Sequence, residues 1–525
     1  MSTRRTFPLA GLIVMTVASA APAQPPTGPE FTTPLGPHVG LKDSDFAGAR
    51  AFRSNDKIVM THYFYWYDEP SKAHVLNGDG SDALTTHPAS LEDFSYRSAS
   101  WHESQLRDMM AAGIDVALPV YWGAPSERKP GAGMHWSFEG LPPMVKAAEA
   151  ILREGKAPPA FGLFYDTSTL QFNSWGERVD LTTDRGRSWF YASIRDFFSM
   201  IPPRLWALVD GRPVVVLYAS SFAKAHDQSC IDFVKQQFAR DFGGKVPYVI
   251  REVSWKVRAD NVCAWGGAVK PNFAGVAEIG PGYDHSAVPG RTPLVVDREG
   301  GAFYERAWVK ALRRRPNIVI LETWNEFHEG TTLAASREHG RQYIDLTRKY
   351  VDMYRKGVIP PPPAGPYAGA RSISLALGPK NEKHGLGQVE AADGLTTAAT
   401  LDGEPCRITR PGASGGQYVY IQVDDSFRTD RSTDATIAVE YRDGAPGSLG
   451  LQYDSHDPTA TLDGAYKDCP EVVPFKGDGT WKTATFTVKD ARFDGSQNGG
   501  ADFRLVVNAP SLAVRKVTLT REAGR

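Results

Sequence analysis

The 525-residue chain is expected to be an α/β protein: a (β/α)8 TIM barrel followed by an all-β, jelly-roll-like sandwich. Three observations carry that expectation. From residue 51 to 357, short apolar runs alternate with helix-compatible segments, the rhythm of a parallel sheet wound with helices. The block Val358-Ile359-Pro360-Pro361-Pro362-Pro363-Ala364-Gly365-Pro366 then interrupts the chain as stiff polyproline II. Beyond it, residues 371–525 alternate apolar and polar positions between Gly, Asp and Asn turns, with no helical pattern.

The expected barrel strands are Ile58–Phe64, Val116–Tyr121, Ala160–Tyr165, Pro213–Tyr218, Pro247–Arg251, Val262–Trp265, Gly275–Gly280 and Asn317–Thr323. Helical composition covers Glu103–Ala112, with Gly113 placed to cap it, then Leu141–Arg153, Trp189–Ser199, Ile231–Phe242 and Phe303–Arg314. A doubly wound open sheet is the alternative, but no glycine-rich phosphate loop follows the first strand. In the C-terminal region, Tyr418–Val423, Thr436–Tyr441 and Trp481–Val488 read as strands. The division is therefore 1–23 signal peptide, 24–50 irregular lead-in, 51–357 barrel, 358–370 proline-rich linker and 371–525 sandwich.

The signal peptide is read from Arg4 and Arg5 ahead of the apolar stretch Phe7–Ala21, with Ala21-Pro22-Ala23 as the cleavage site. Thr3-Arg4-Arg5-Thr6-Phe7 is similar to a twin-arginine signal, with Sec export the equal alternative; both predict a periplasmic or secreted protein. No later stretch reaches the ~18 apolar residues of a membrane span. A net charge of −1 gives no attraction toward nucleic acid or anionic membrane. In an oxidising compartment the four cysteines are expected to pair locally, Cys230–Cys263 and Cys406–Cys469, one bridge per domain. None sits in a CxxC or Cys/His cluster, so no zinc site is expected. Nothing in the sequence sets an oligomeric state.

The chemistry concentrates at residues 318–331, Ile-Val-Ile-Leu-Glu-Thr-Trp-Asn-Glu-Phe-His-Glu-Gly-Thr. An apolar strand running into Glu322, Glu326 and Glu329 is how a barrel presents acids at its C-terminal rim. If the chain turns helically there, Glu326 and Glu329 fall about 5–6 Å apart on one face. That separation suits a retaining glycosidase, whose carboxyls lie about 5–5.5 Å apart. Acids at a helix start also favour the positive dipole end, the structural alternative. The other strand ends supply Tyr65, Trp66 and Asp68; Tyr121 and Trp122; Asp166; Tyr218; Glu252; Trp265; and Tyr283, Asp284 and His285. With Trp324, Asn325 and His328 these make a set suited to sugar rings and hydroxyls. Each aromatic alone could equally serve the core, and Tyr63 and Phe64 are assigned there.

Asn325-Glu326-Phe327-His328-Glu329-Gly330-Thr331 resembles the Asn-Glu-Trp-His-Glu-Gly-Thr motif of glycoside hydrolase family 99, the endo-α-mannosidases and endo-α-mannanases. Gly280-Pro281-Gly282-Tyr283-Asp284, Gly301-Ala302-Phe303-Tyr304 and Ala111-Ala112-Gly113-Ile114-Asp115 extend the resemblance, the last also toward the related family 71 glucanases. The resemblance implies a polysaccharide or oligosaccharide substrate, Glu326 as the base toward a sugar 2-hydroxyl and Glu329 as acid/base toward the leaving group; no catalytic metal or other cofactor is expected, because the rim is rich in carboxylates and aromatics and poor in closely spaced ligands. Departures are Tyr165-Asp166-Thr167 where the family has Glu-Pro-Tyr, Phe327 for Trp, and Thr332-Leu333-Ala334, so mannose specificity is not carried over. A non-catalytic carbohydrate-binding protein on the same scaffold is the competing function. No His-Glu-x-x-His occurs, and the one Gly-x-Ser-x-Gly, Gly412-Ala413-Ser414-Gly415-Gly416, falls in the helix-free C-terminal region rather than at a strand-to-helix turn, which argues against ester or peptide hydrolysis. In the sandwich, Asp490, Asp494, Asn498 and Asp502 could hold a structural Ca2+, with turn formation the alternative. Trp481 and Tyr453 are its candidate sugar platforms, with core packing the alternative for Trp481.

Overall fold

Eight runs, mostly of aliphatic and β-branched residues, form the parallel strands that carry the rim of the first part of the chain; most are buried on both faces, and Asn261–Cys263 is only half-buried. We label them β1 (Ile58–Tyr63), β2 (Val116–Tyr121), β3 (Ala160–Phe161 and Leu163–Tyr165), β4 (Arg212–Leu217), β5 (Tyr248–Glu252), β6 (Asn261–Cys263), β7 (Ala277–Ile279) and β8 (Ile318–Leu321). The computed structural model describes residues 31–522 except 32, 124, 126–134, 362–364, 391–392, 413–414 and 429–431. The expected signal peptide, residues 24–30 of the lead-in and part of the proline block lie outside the described residues. The chain divides into two compact units between Val358 and Ile359.

Pairing runs β7-β8-β1-β2-β3-β4-β5-β6, all parallel. Ile279 partners Leu321 and Leu321 partners Thr61; at the far side Tyr165 partners Leu217 and Leu217 partners Arg251. This register brings the strand ends to one rim. Between β6 and β7, the Val276 N–H donates to the Val262 carbonyl at 2.9 Å. The sheet is thus TIM-barrel-like.

The helices are α1 (Ala99–Ala112), α2 (Leu141–Arg153), α3 (Asp184–Met200), α4 (Gln228–Asp241), α5 (Ala302–Arg314) and α6 (Gln342–Lys356). Three begin earlier than expected because their first turns are polar and are fixed by caps rather than by apolar periodicity. Ser98 accepts from Trp101 N–H, Thr183 from Gly186 N–H and Asp227 from Ser229 N–H. Gly113 caps α1 at φ 84°, as its position suggested. Helix α6 was not anticipated; its buried Tyr343, Ile344, Tyr350, Val351 and Tyr354 supply the covering face.

One buried carboxylate ties these layers together. Asp115, just ahead of β2, accepts from Val59 N–H of β1 at 3.0 Å, from Arg50 at 2.6 Å and from Arg355 of α6 at 2.8 Å.

The second unit is an antiparallel sandwich. A seven-stranded sheet contains Thr433–Arg442, Trp481–Ala491 and Ala513–Arg521; a six-stranded sheet contains Tyr418–Val423, Pro446–Tyr453 and Phe503–Asn508. Alternate residues such as Ile437, Val439, Phe486, Val488, Leu451 and Leu505 fill the space between them. The candidate Ca2+ ligands are engaged otherwise: Arg428 bonds Asp494 at 3.1 Å, Asp502 accepts Val423 N–H at 2.7 Å and Lys467 bonds Asp490 at 3.0 Å. Neither platform candidate is open. Tyr453 is buried with its hydroxyl on the Lys489 carbonyl, and Arg515 covers the Trp481 ring at 4.8 Å.

The expected disulfides are corrected: all four cysteines are buried free thiols. Cys230 donates to the Asp227 carbonyl at the start of α4, and Cys469 bonds Glu471. Local sequence spacing did not translate into facing side chains. Replacing Asp115 by Ala leaves a buried N–H and two guanidinium groups without their acceptor, and should cost about 3 kcal/mol in chemical denaturation of the whole chain.

Candidate active site

Strand β8 delivers Glu322 over the rim, but the following residues do not form the helical turn expected for Glu326 and Glu329. They fold as a tight turn instead. The His328 N–H donates to Glu326 Oε1 at 3.0 Å, and Thr331 N–H to the Glu326 carbonyl at 3.3 Å. Gly330 adopts φ 56°, and a Cβ there would stand 3.1 Å from the Asp284 carbonyl oxygen. Asp284 N–H in turn donates to the Glu329 carbonyl at 2.9 Å. The turn is therefore pinned to the segment after β7.

Both glutamates line one cavity of about 300 Å³ at the strand ends. Its walls are Phe64, Trp122, Phe164, Tyr218, Trp265 and Tyr283, and its carboxyls are Asp166, Glu322, Glu326 and Glu329. The lining holds no Lys, Arg, Asn or Gln among the described residues. Asp166 accepts from Trp122 Nε1–H at 2.6 Å and from Ser168 N–H at 3.0 Å. Glu329 is paired with Arg291 at 2.8 Å, and both side chains are nearly buried.

Crowding these acids together shifts their proton affinities. Burial raises Glu329 above the usual carboxylate range, Glu326 adds to that, and Arg291 opposes it. Burial likewise raises Asp166, with Glu329 contributing. Glu322 sits deeper, where Gly266 N–H and Ala268 N–H reach it at 3.0 and 3.4 Å; burial still pushes it up to about 7. Beside it, burial and then the Glu322 charge raise Glu278 of β7 further. Two buried carboxyls in contact share a proton, because both cannot ionise in that environment. Tyr218 feels burial first, then Asp166, Glu329, Glu322 and Glu252, all of which hold its phenol protonated.

Of the residues singled out by sequence, Trp122, Asp166, Tyr218, Trp265, Tyr283, His285, Glu322, Glu326 and Glu329 line the cavity. The others do not, and each has a different occupation. Tyr65 donates its hydroxyl to the Ser137 carbonyl, Trp66 stacks on His74, and Tyr121 packs on Phe197. Asp68 bonds Ser71, Ser95 and Arg97. Glu252 and Asp284 cap the turns at Ser254 and Ser286. Trp324 donates to Gln105, and Asn325 accepts from Phe64 N–H at 2.8 Å. His328 stands behind Glu326 rather than in the lining. Phe64, assigned to the core from sequence, is part of the wall. Sequence reasoning missed Phe164, Phe172, Phe222, Thr292 and Leu294 in the lining, and Arg291 and Glu278 behind it. Phe164 alone carried a signal, as a strand-end residue. Among the described residues no group of three or more His, Cys, Asp and Glu is disposed to hold a metal ion, and no helix is long and apolar enough to cross a membrane.

A parallel barrel-like sheet with an acidic, aromatic-walled cavity at its strand ends defines the class: a TIM-barrel-like domain with its site at the C-terminal rim. Residues 42–362 match the family described as "Domain of unknown function (DUF5010)", and the chain belongs to it. The chain is also similar to glycoprotein endo-alpha-1,2-mannosidase of Rattus norvegicus, 30% identical over 102 residues, which are 17% of this chain and 22% of that protein. The Xenopus laevis protein of the same name is 32% identical over 100 residues, 16% of this chain and 22% of that protein. The chain thus spans about a fifth of the length of these curated relatives. Among solved structures, the GH99 endo-alpha-mannosidase from Bacteroides thetaiotaomicron aligns at 16% identity with TM-score 0.40, covering 57% of this chain and 98% of that one. A "Glycoside hydrolase-like protein" aligns at 15% identity with TM-score 0.44, covering 57% and 95%. The resemblance read from residues 325–331 is thus accompanied by a similarity, over about 100 residues, to curated proteins named as endo-alpha-1,2-mannosidases.

The raised Glu278 and Glu322 make stability depend on pH. A carboxyl whose folded pKa exceeds its unfolded value holds its proton more tightly when folded, so stability falls as pH rises through that window. From the ordinary 4.5 to about 7, the contribution of this pair to the melting temperature should fall with rising pH, against the opposite contribution of the buried neutral His62, His74 and His102. Glu278→Gln, which is neutral throughout, should flatten the slope; an unchanged slope would place the shared proton elsewhere.

Proposed function

We propose that this protein is a glycoside hydrolase that cleaves an α-linked polysaccharide or oligosaccharide with retention, Glu326 acting as base and Glu329 as acid/base. The observation that carries this is the placement of Glu326 and Glu329 in one aromatic-walled cavity with Asp166. We further read the parallel sheet as a closed (β/α)8 barrel, a view supported by the Val276–Val262 hydrogen bond across its last gap. The sequence of residues 1–23 supports export.

The roles follow from the electrostatics. A general acid must keep its proton near neutral pH, and burial with a neighbouring carboxylate does this for Glu329. In the first step Glu326 takes the proton of the sugar 2-hydroxyl as the 2-oxygen bonds to the anomeric carbon. The glycosidic C–O bond breaks and Glu329 protonates the departing oxygen. Water then opens the 1,2-anhydro ring at the anomeric carbon, giving a proton to Glu329, while Glu326 returns its proton to the 2-oxygen. Two displacements at one carbon give net retention. Aromatic walls would stack on the C–H faces of the rings. Four carboxyls without a lysine or arginine in the lining disfavour uronic acid or sulfated sugars.

The Arg291–Glu329 pair favours a second function, non-catalytic glycan binding, because a guanidinium bound to the acid opposes its protonation. Reducing-end release from α-mannans, α-glucans and bacterial exopolysaccharides separates the two. The wild type should cleave one neutral polymer, and Glu326→Gln and Glu329→Gln should each lose several orders of magnitude. Equal glycan binding by all three proteins without release would establish the binding function. In the hydrolase, Arg291→Gln should shift the alkaline limb of kcat/KM upward by about one pH unit, since an opposing positive charge is removed.

A further inference from the structure

We infer that His328 is the positioning residue of Glu326: held as an imidazolium between the His74 carbonyl and Glu326 Oε1, it fixes the charge and the orientation of a carboxylate that lines the cavity. This rests on the assignment of Glu326 as base and goes beyond it by naming the group that sets its charge and orientation.

The geometry leaves the imidazole little choice. His328 Nε2 lies 2.8 Å from the His74 carbonyl oxygen, which only accepts, so Nε2 carries hydrogen. In a neutral ring Nδ1 would then present a lone pair to Glu326 Oε1, 3.0 Å away. Two lone pairs at that distance repel unless a proton lies between them. Glu326 Oε1 already accepts the His328 backbone N–H at 3.0 Å, a role that suits a carboxylate oxygen rather than a protonated one. The proton therefore belongs to His328, and the pair is imidazolium–carboxylate.

The surroundings agree. The ring is enclosed by Trp66 at 5.6 Å, Tyr67 at 5.3 Å and His74 at 6.1 Å between centroids. The ionisable groups that reach it are Glu326, Glu329, Tyr67 and His74. Burial lowers the affinity of His328 for its proton, but Glu326, by charge and hydrogen bond, the His74 carbonyl and Glu329 together raise it overall. Burial holds His74 neutral, with His328 contributing. Tyr67 is protonated and lies 3.4 Å from Oε1 through its hydroxyl. All these partners crowd Oε1. Glu326 Oε2 is buried with no hydrogen-bond partner, on a residue that lines the cavity.

A consequence for the reaction follows. Glu326 and Glu329 line one cavity, and the charge of Glu326 helps to raise Glu329. Pairing with the imidazolium holds the Glu326 carboxylate in place beside Glu329. His328 acts through Glu326 and touches no substrate.

The test needs no substrate. The full chain is labelled with 13C and 15N in histidine, and the signal absent from His328→Gln is followed against pH by NMR. That ring should be doubly protonated at pH 7 and titrate above the ordinary ~6.5, and in Glu326→Gln its midpoint should drop by at least one unit. A neutral ring at pH 7 in the wild type, or an unmoved midpoint in Glu326→Gln, would overturn the inference. If His328→Gln does not fold, the single histidine signal that moves in Glu326→Gln gives the same reading, and no moving signal overturns it. Failure to cleave any polymer would count against the hydrolase and leave this result untouched. Where a polymer is cleaved, His328→Gln should lower kcat far more than it alters KM.

Discussion

Burying carboxyls at the ends of parallel strands is the constraint on which the first unit depends. An ionised acid in a low-dielectric interior is costly unless donors or cations meet it. The structure meets each acid differently: backbone N–H groups for Glu322, a shared proton for Glu278, indole and backbone donors for Asp166, a guanidinium for Glu329 and an imidazole for Glu326. These partners come from different strand-to-helix segments, so the acid cluster forms only once the sheet is wound. Asp115 does the same at the opposite end, where Arg50 and Arg355 neutralise it and tie α6 to the sheet.

That constraint also separates the roles of chemically identical side chains. Asp166, Glu322, Glu326 and Glu329 share one cavity, yet each has different partners. Glu322 lies against Glu278 and the Gly266–Ala268 backbone, which makes it a proton store at the cavity floor rather than an open acceptor. Glu329, facing Arg291 and Glu326, is the acid poised between charge and neutrality. Tyr218, surrounded by four acids, can donate through its phenol and is kept from ionising.

The strands were legible wherever β-branched runs end in rim residues, as in Val116–Tyr121, because burial on both faces leaves an uninterrupted apolar signal. Helix starts were less so: Ala99–His102 and Asp184–Arg187 are set by Ser98 and Thr183 caps, which periodicity does not register. In the site, Glu326, Glu329, Trp265 and Tyr283 were found because strand ends point to the cavity. Tyr65, Trp66 and Trp324 were over-read for the same reason, since the residues just past a strand end also seal the core beneath the rim. Arg291, Thr292 and Leu294 were invisible; they reach the site from a turn after β7 whose sequence carries no periodic or motif signal. The cysteines show the converse error, where even number and spacing stood in for facing geometry.

The central claim is that Glu326 and Glu329 together serve two successive displacements at one anomeric carbon. The stereochemistry of the first product formed tests it most directly, read by 1H NMR within the first turnovers on the polymer that the protein cleaves. The account predicts that the new reducing end appears as the α anomer and equilibrates later. A β anomer at the outset would mean a single displacement by water, and would contradict the roles given to the two glutamates.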